Sequence, residues 1–133
     1  MEKSGILADL NAHQSYFTGL SDWLWAHPEL SLREYRSADA YCQALEELGF
    51  TVERGIAGVE TAFRGSFGSG RPVIGILGEY DALSGLSQEA GAVQCRPLEK
   101  GGAGHGCGHN LLGAAALAAA AAIREYLAQK GEG

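Results

Sequence analysis

Val73-Ile74-Gly75-Ile76-Leu77, running on into Gly78-Glu79-Tyr80-Asp81, sets the expected architecture. The first five residues form a short, uninterrupted apolar run. Such a run suggests a strand buried on both faces, as in a sheet covered by helices. Two acids follow at once. Ligand sites in open α/β sheets lie outside the carboxyl ends of strands. Glu79 and Asp81 are two residues apart and can face the same side, where they could bind a metal ion or hold a ligand histidine. The competing reading is a solvated turn carrying acids.

Working upstream, Glu60 to Phe67 and Thr51 to Ala57 read as two further strands joined by a tight turn at Gly58. Before them, Ser31-Leu32-Arg33-Glu34 has the form of a capping box, with Leu30 and Tyr35 at the staple positions. The helix it opens is expected to run to Leu48, with Gly49 as its left-handed stop and Phe50 closing back on the last turn. A first helix is expected over Ile6 to Ala26, ended by Pro28. Downstream, Ala82 to Gly104 forms a long loop, of a kind that is uncommon unless it serves a site. A last helix starts at His109 or Asn110 and stops near Lys130 at Gly131. Helices, strands and a further helix predict an α/β layer architecture with some antiparallel pairing, in one domain.

The 133 residues are 46% hydrophobic and 20% charged, a globular composition. The net charge of −6 argues against nucleic acid or an anionic membrane surface as partner. The run Leu111 to Ile123 is too short to span a bilayer and reads as a buried helix. No secretory leader pattern is visible in Met1 to Leu10. The cysteines, three in number, suggest no disulfide framework, so a reducing cytoplasm is the expected location.

The segment Gly104-His105-Gly106-Cys107-Gly108-His109-Asn110 carries the chemistry. In an extended backbone, His105, Cys107 and His109 would point to one side. The helix start that follows favours a thiolate, and thiolate and imidazole are good ligands for Zn2+ and similar ions. The plain alternative is a glycine-rich turn with incidental histidines and a small buried cysteine. Elsewhere His27 reads as structural, His13 as solvated, Cys42 as core, and Cys95 as a loop thiol without a base. Trp23 and Trp25 read as packing residues.

Four segments together resemble the M20 metallopeptidases. They are His27-Pro28-Glu29-Leu30-Ser31 with Glu34, Gly78 to Leu83, Gly85-Leu86-Ser87-Gln88-Glu89-Ala90-Gly91, and Gly104 to Gly113. Within that family the chain is most similar to the amidohydrolase branch of the aminobenzoyl-glutamate hydrolase B subunits, to which the third segment and Asn110 point. The resemblance implies the N-terminal part of a mixed-sheet catalytic domain with helices on both faces. It implies that Cys107 and His109 bind a divalent metal, Zn2+ or Mn2+, and that Asp81 supports them. Many members have a ligand histidine where this chain has Glu79, so Glu79 and His105 stand as possible ligands or supporting residues.

Family members continue into a Glu-Glu pair that supplies the general base, two more ligand histidines and a lid domain used for dimerisation. None of these is expected within residues 1–133. The implied activity is hydrolysis of the amide of an N-acyl or aminobenzoyl amino acid, with no catalytic base in this chain and an inactive fragment as the result. A homo-oligomer is expected. Two other classes compete. One is a non-enzymatic metal-binding or partner-binding module; the other is a thiol hydrolase with Cys107 as nucleophile and His105 or His109 as base.

Overall fold

A computed structural model describes residues 3–131. The chain forms α1 (Lys3–Ala12), α2 (Gln14–Ala26), α3 (Tyr35–Glu47), β1 (Thr51–Arg54), β2 (Phe63–Ser66) and α4 (His109–Lys130). The α/β class stands. The expected single first helix is two, interrupted at His13. There the backbone leaves the helical region at φ −101°, ψ 11°, while the His13 N–H and ring Nδ1 both bond to the Asp9 carbonyl, at 3.1 and 2.9 Å.

Helix α3 ends as its sequence predicts. The Gly49 N–H bonds to the Glu46 carbonyl and the Phe50 N–H to the Leu45 carbonyl, both at 2.9 Å, with Gly49 at φ 82°. Its start differs. The Ser31–Glu34 capping box does not form, because Leu32 takes a left-handed turn and Glu34 makes no side-chain cap. The cap comes from Glu29 instead. Its carboxylate accepts from the Ser37 N–H at 2.8 Å, the Ser37 hydroxyl at 2.7 Å and the Arg36 N–H at 3.2 Å. The two backbone N–H groups among these donors are free ones of the first helical turn.

Strands β1 and β2 pair antiparallel, with Thr51 opposite Ser66 and Arg54 opposite Phe63. Both are shorter than expected. Gly55, Ala57 and Gly58 all lie at positive φ and turn the chain early through a short 3-10 turn at Ile56–Gly58. Helix α3 covers one face of this hairpin. On the other face Thr51, Glu53, Arg64 and Ser66 are exposed, so the cover expected on both faces is formed on one among the described residues.

The segment Val73–Leu77 is the main correction. It forms no strand and is not buried; Val73, Ile74 and Leu77 are 78%, 73% and 85% exposed. A strand buried on both faces needs neighbours on its edges, and no described segment pairs with it.

The core joins Phe17 and Leu24 of α2, Tyr41, Ala44 and Leu45 of α3, and Leu117 of α4. Phe63 and Tyr80 pack on Tyr41, with ring centroids 6.0 and 5.3 Å away. By length and composition α4 is long and apolar enough to cross a membrane. Here it packs against α1 and α2 and buries Asn110, Gly113, Ala114, Leu117 and Ala122, while Leu111, Leu112 and Ile123 stay exposed. The helix expected to be buried is therefore half-buried.

Candidate metal centre

Three chain crossings build the site. Pro28 ends α2 and turns the chain so that Glu29 serves twice. Its carboxylate caps α3, and its backbone carbonyl accepts the Ala82 N–H at 2.8 Å. Leu30 and Ala82 form a parallel bridge at the same point. That places Asp81 beside the start of α4. The long loop then leaves and returns. Its ends are tied by paired backbone bonds between Leu83 and Gly104, both 3.0 Å, and by the Ser87 N–H to the Gly102 carbonyl at 3.0 Å. Gly104 is required there, because a Cβ at that position would lie 1.9 Å from the Leu86 carbonyl oxygen.

At the centre, His109 opens α4. Its Nδ1–H donates to Asp81 Oδ1 at 2.7 Å, and its Nε2 lies 3.2 Å from Glu79 Oε2. The histidine and Asp81 are largely enclosed, with side chains 16% and 23% exposed; Glu79 is 58% exposed. The structure thus brings together three of the five sequence-predicted site residues.

The other two are placed differently. His105 to Gly108 forms a turn, closed by the Gly108 N–H to the His105 carbonyl at 3.0 Å, with Gly108 at φ 78°. The expected alternation of His105, Cys107 and His109 on one side of an extended strand does not occur, because a turn reverses direction within those residues. His105 goes inward and is 4% exposed, while Cys107 stays on the surface. Burial pushes the His105 imidazole below its usual pKa. The Leu24 backbone opposes that shift and nearby His109 adds to it. Among the described residues neither ring nitrogen of His105 has a hydrogen-bond partner of good geometry.

Sequence reasoning missed two residues that position this site. Glu29 was visible as part of a motif, yet its capping role depends on a helix start that the nearer Ser31 box had claimed. Asn110 is buried and donates through Nδ2 to Ser21 Oγ at 3.1 Å and to the Ser21 carbonyl at 3.4 Å, tying α4 to α2. The polar pair Asn110 and Ser21 in otherwise apolar helix faces was the available signal.

The donors can be tested against a divalent ion. Two ligands at about 2.0–2.1 Å from a tetrahedral ion stand roughly 3.3 Å apart. The 3.2 Å between Glu79 Oε2 and His109 Nε2 matches that separation. A carboxylate holding the far nitrogen of a ligand histidine is the common outer support of such ions. Asp81 is taken up by the far nitrogen of His109, and among the described residues no group of three or more His, Cys, Asp or Glu is placed to hold a metal ion together. The donor set therefore fits a divalent ion as a half-site. It does not fit thiol catalysis, since Cys107 has no hydrogen bond to either histidine among the described residues.

No family model matches the chain. Over 124 residues, 93% of its length, the chain is 50% identical to the B subunit of p-aminobenzoyl-glutamate hydrolase from Escherichia coli (strain K12), and it spans 26% of that protein.

Proposed function

We propose that this chain supplies part of the metal-binding centre of an amidohydrolase that cleaves the amide between an acyl or aminobenzoyl group and an amino acid. The observation that carries this reading is His109, gripped by Asp81 on one nitrogen and faced by Glu79 on the other. The similarity to the named hydrolase supports the substrate class. His109 and Glu79 would hold Zn2+ or Mn2+, with Cys107 on the preceding turn as a further ligand. When bound, such an ion polarises an amide carbonyl and makes its water more acidic. Asp81 fixes the His109 ring, and the buried, backbone-bonded Ala82 next to it keeps that carboxylate in place.

With Asp81 on His109 and Glu79 at the ion, no carboxylate of the centre remains to take a proton from water. The chain alone is therefore expected to bind metal weakly and to turn nothing over. The experiment measures metal content by mass spectrometry after gel filtration, for the wild type, Cys107→Ser and His109→Ala, alongside hydrolysis of aminobenzoyl-glutamate. Lower metal in both variants and no turnover are expected. Equal metal in all three proteins would sink the ligand assignment. Metal-dependent turnover by the purified chain, lost in Cys107→Ser, would make Glu79 the base and refute the inactivity.

A further inference from the structure

We propose that Leu86 is a positioning residue for Cys107: seated on Gly104 and Gly106, it holds the Gly-His-Gly stretch against the core and so fixes the turn that carries Cys107, two residues before His109. The proposal rests on the reading of Cys107 as a ligand given above, and adds the part of the chain that sets its place.

The two glycines are the seat. The Leu86 carbonyl fills the space that a Cβ at Gly104 would need, and Leu86 Cδ1 lies 2.5 Å from the position of a Cβ at Gly106. Neither glycine lies at positive φ, so it is the presence of Leu86, not backbone conformation, that excludes a side chain there. Between them His105 goes inward and is 4% exposed. Leu86 is itself held on both sides. Before it, Leu83 and Gly104 exchange two backbone bonds; after it, the Ser87 N–H bonds to the Gly102 carbonyl, all at 3.0 Å.

The turn needs such a brace. Its far end is fixed by hydrogen bonds: the Gly108 N–H bonds to the His105 carbonyl, and the Gly108 carbonyl accepts from Leu111 and Leu112, all at 3.0 Å. Its apex is not. Among the described residues the N–H groups of Gly106 and Cys107 have no backbone acceptor, and the Cys107 side chain is exposed. The side chain that bears on the apex is that of Leu86. Contacts behind a ligand orient it and tune its hold on the ion. The long loop thus has a use at the metal centre, which is to deliver Leu86 to the turn.

Titration of the whole chain with Co2+ tests this, because a thiolate ligand adds a charge-transfer band that nitrogen and oxygen ligands lack. The band is expected in the wild type and absent in Cys107→Ser. Leu86→Ala should lower Co2+ affinity by about 10-fold and weaken the band. In the metal-free chain it should also speed hydrogen exchange of the Gly108 amide, while the Phe50 amide at the end of α3 exchanges as before. Gly106→Ala, whose methyl displaces the Leu86 tip, should do the same, and it decides the matter if Leu86→Ala unfolds. The double variant should recover band and affinity, since Leu86 Cβ lies 3.5 Å from the new methyl, an ordinary contact. Leu86→Met, which keeps the bulk, should match the wild type. A Co2+ spectrum unchanged by Cys107→Ser overturns the ligand reading, and this proposal with it. A band lost in Cys107→Ser but left intact, with the affinity, by Leu86→Ala and Gly106→Ala keeps the ligand reading and overturns the proposal alone. So does a double variant that shows the sum of the two single losses.

Discussion

His109 Nδ1 reaches Asp81 Oδ1 at 2.7 Å across 28 residues of chain, joining the first residue of α4 to the segment that Glu29 anchors. This bond sets which ring nitrogen of His109 faces Glu79. Removing it should leave the helix but free the ring. Asp81→Ala is expected to lower the chain's Zn2+ affinity by about 10- to 100-fold, the usual effect of losing such a partner. Competition against a chromophoric chelator reads the affinity directly. An affinity equal to wild type would remove Asp81 from the site.

Glu29 ties acid stability to the same corner. Burial pushes its carboxyl up, but hydrogen bonds from Ser37 and Arg36 outweigh that and hold the pKa below the usual glutamate value. A carboxyl whose folded pKa is depressed contributes stability above its unfolded pKa, about 4.3, and that contribution is lost as pH falls through the lower folded value. The wild type should therefore lose stability below about pH 4.3, and Glu29→Gln should lose less over that range. At neutral pH, Glu29→Ala should cost about 1–2 kcal/mol, as for loss of a helix cap. Urea denaturation at several pH values measures both; parallel pH profiles for wild type and Glu29→Gln would contradict the assignment.

Features that depend on neighbours in sequence were legible. The stop of α3 at Gly49 with Phe50, the start of α4 at His109 and its stop at Gly131 are all local signals, and all are present. Features that depend on distant partners were not. Ser31 and Glu34 spell a capping box, but a carboxylate outside that window reaches the helix N-terminus and takes its place. Val73 to Leu77 has the apolar run of a buried strand, yet a run of side chains cannot supply the flanking strands that burial needs. At the site, the residue types were readable and their directions were not. Alternation of His105, Cys107 and His109 assumed an extended backbone, and Gly108 in the left-handed region makes a turn instead.

Gly113 on α4 has a Cβ position 2.2 Å from the Tyr41 hydroxyl and 3.1 Å from the Glu79 carbonyl oxygen. Tyr41 is 3% exposed and packed between Phe63 and Tyr80, so its ring has little room to yield. Gly113→Ala should destabilise by about 1–3 kcal/mol, as overpacking does. The Tyr41 hydroxyl itself has no hydrogen-bond partner among the described residues. Tyr41→Phe removes a buried unpaired polar group and should be neutral or stabilising. It also removes the nearest of the contacts while the ring Cζ at 2.9 Å and the Glu79 carbonyl at 3.1 Å remain, so the double variant should recover part of what Gly113→Ala loses. Thermal melts of the four proteins form the cycle; additive effects would show that the two positions do not share space.

Asn110 distinguishes this chain's centre from one with an acid at the same place. Its Nδ2 faces two oxygens of Ser21, the hydroxyl at 3.1 Å and the backbone carbonyl at 3.4 Å. The hydroxyl can turn to donate to a carboxylate, but a carbonyl can only accept. Asn110→Asp would therefore bury a carboxylate oxygen against the Ser21 carbonyl, at a residue that is 5% exposed. The amide Oδ1 is already without a partner among the described residues, so the substitution leaves two acceptors sharing one donor. The expected cost is about 1–3 kcal/mol at neutral pH, the penalty of an unsatisfied buried group, and it should shrink as acid protonates the new carboxyl and restores a donor. Asn110→Ser, smaller and still able to donate, should cost less than Asn110→Asp at neutral pH. Chemical denaturation of the three proteins at neutral and acidic pH measures this. An Asn110→Asp variant as stable as wild type at neutral pH would mean that α2 and α4 separate enough at Ser21 to admit water, and that the buried tie between them is not what holds the start of α4.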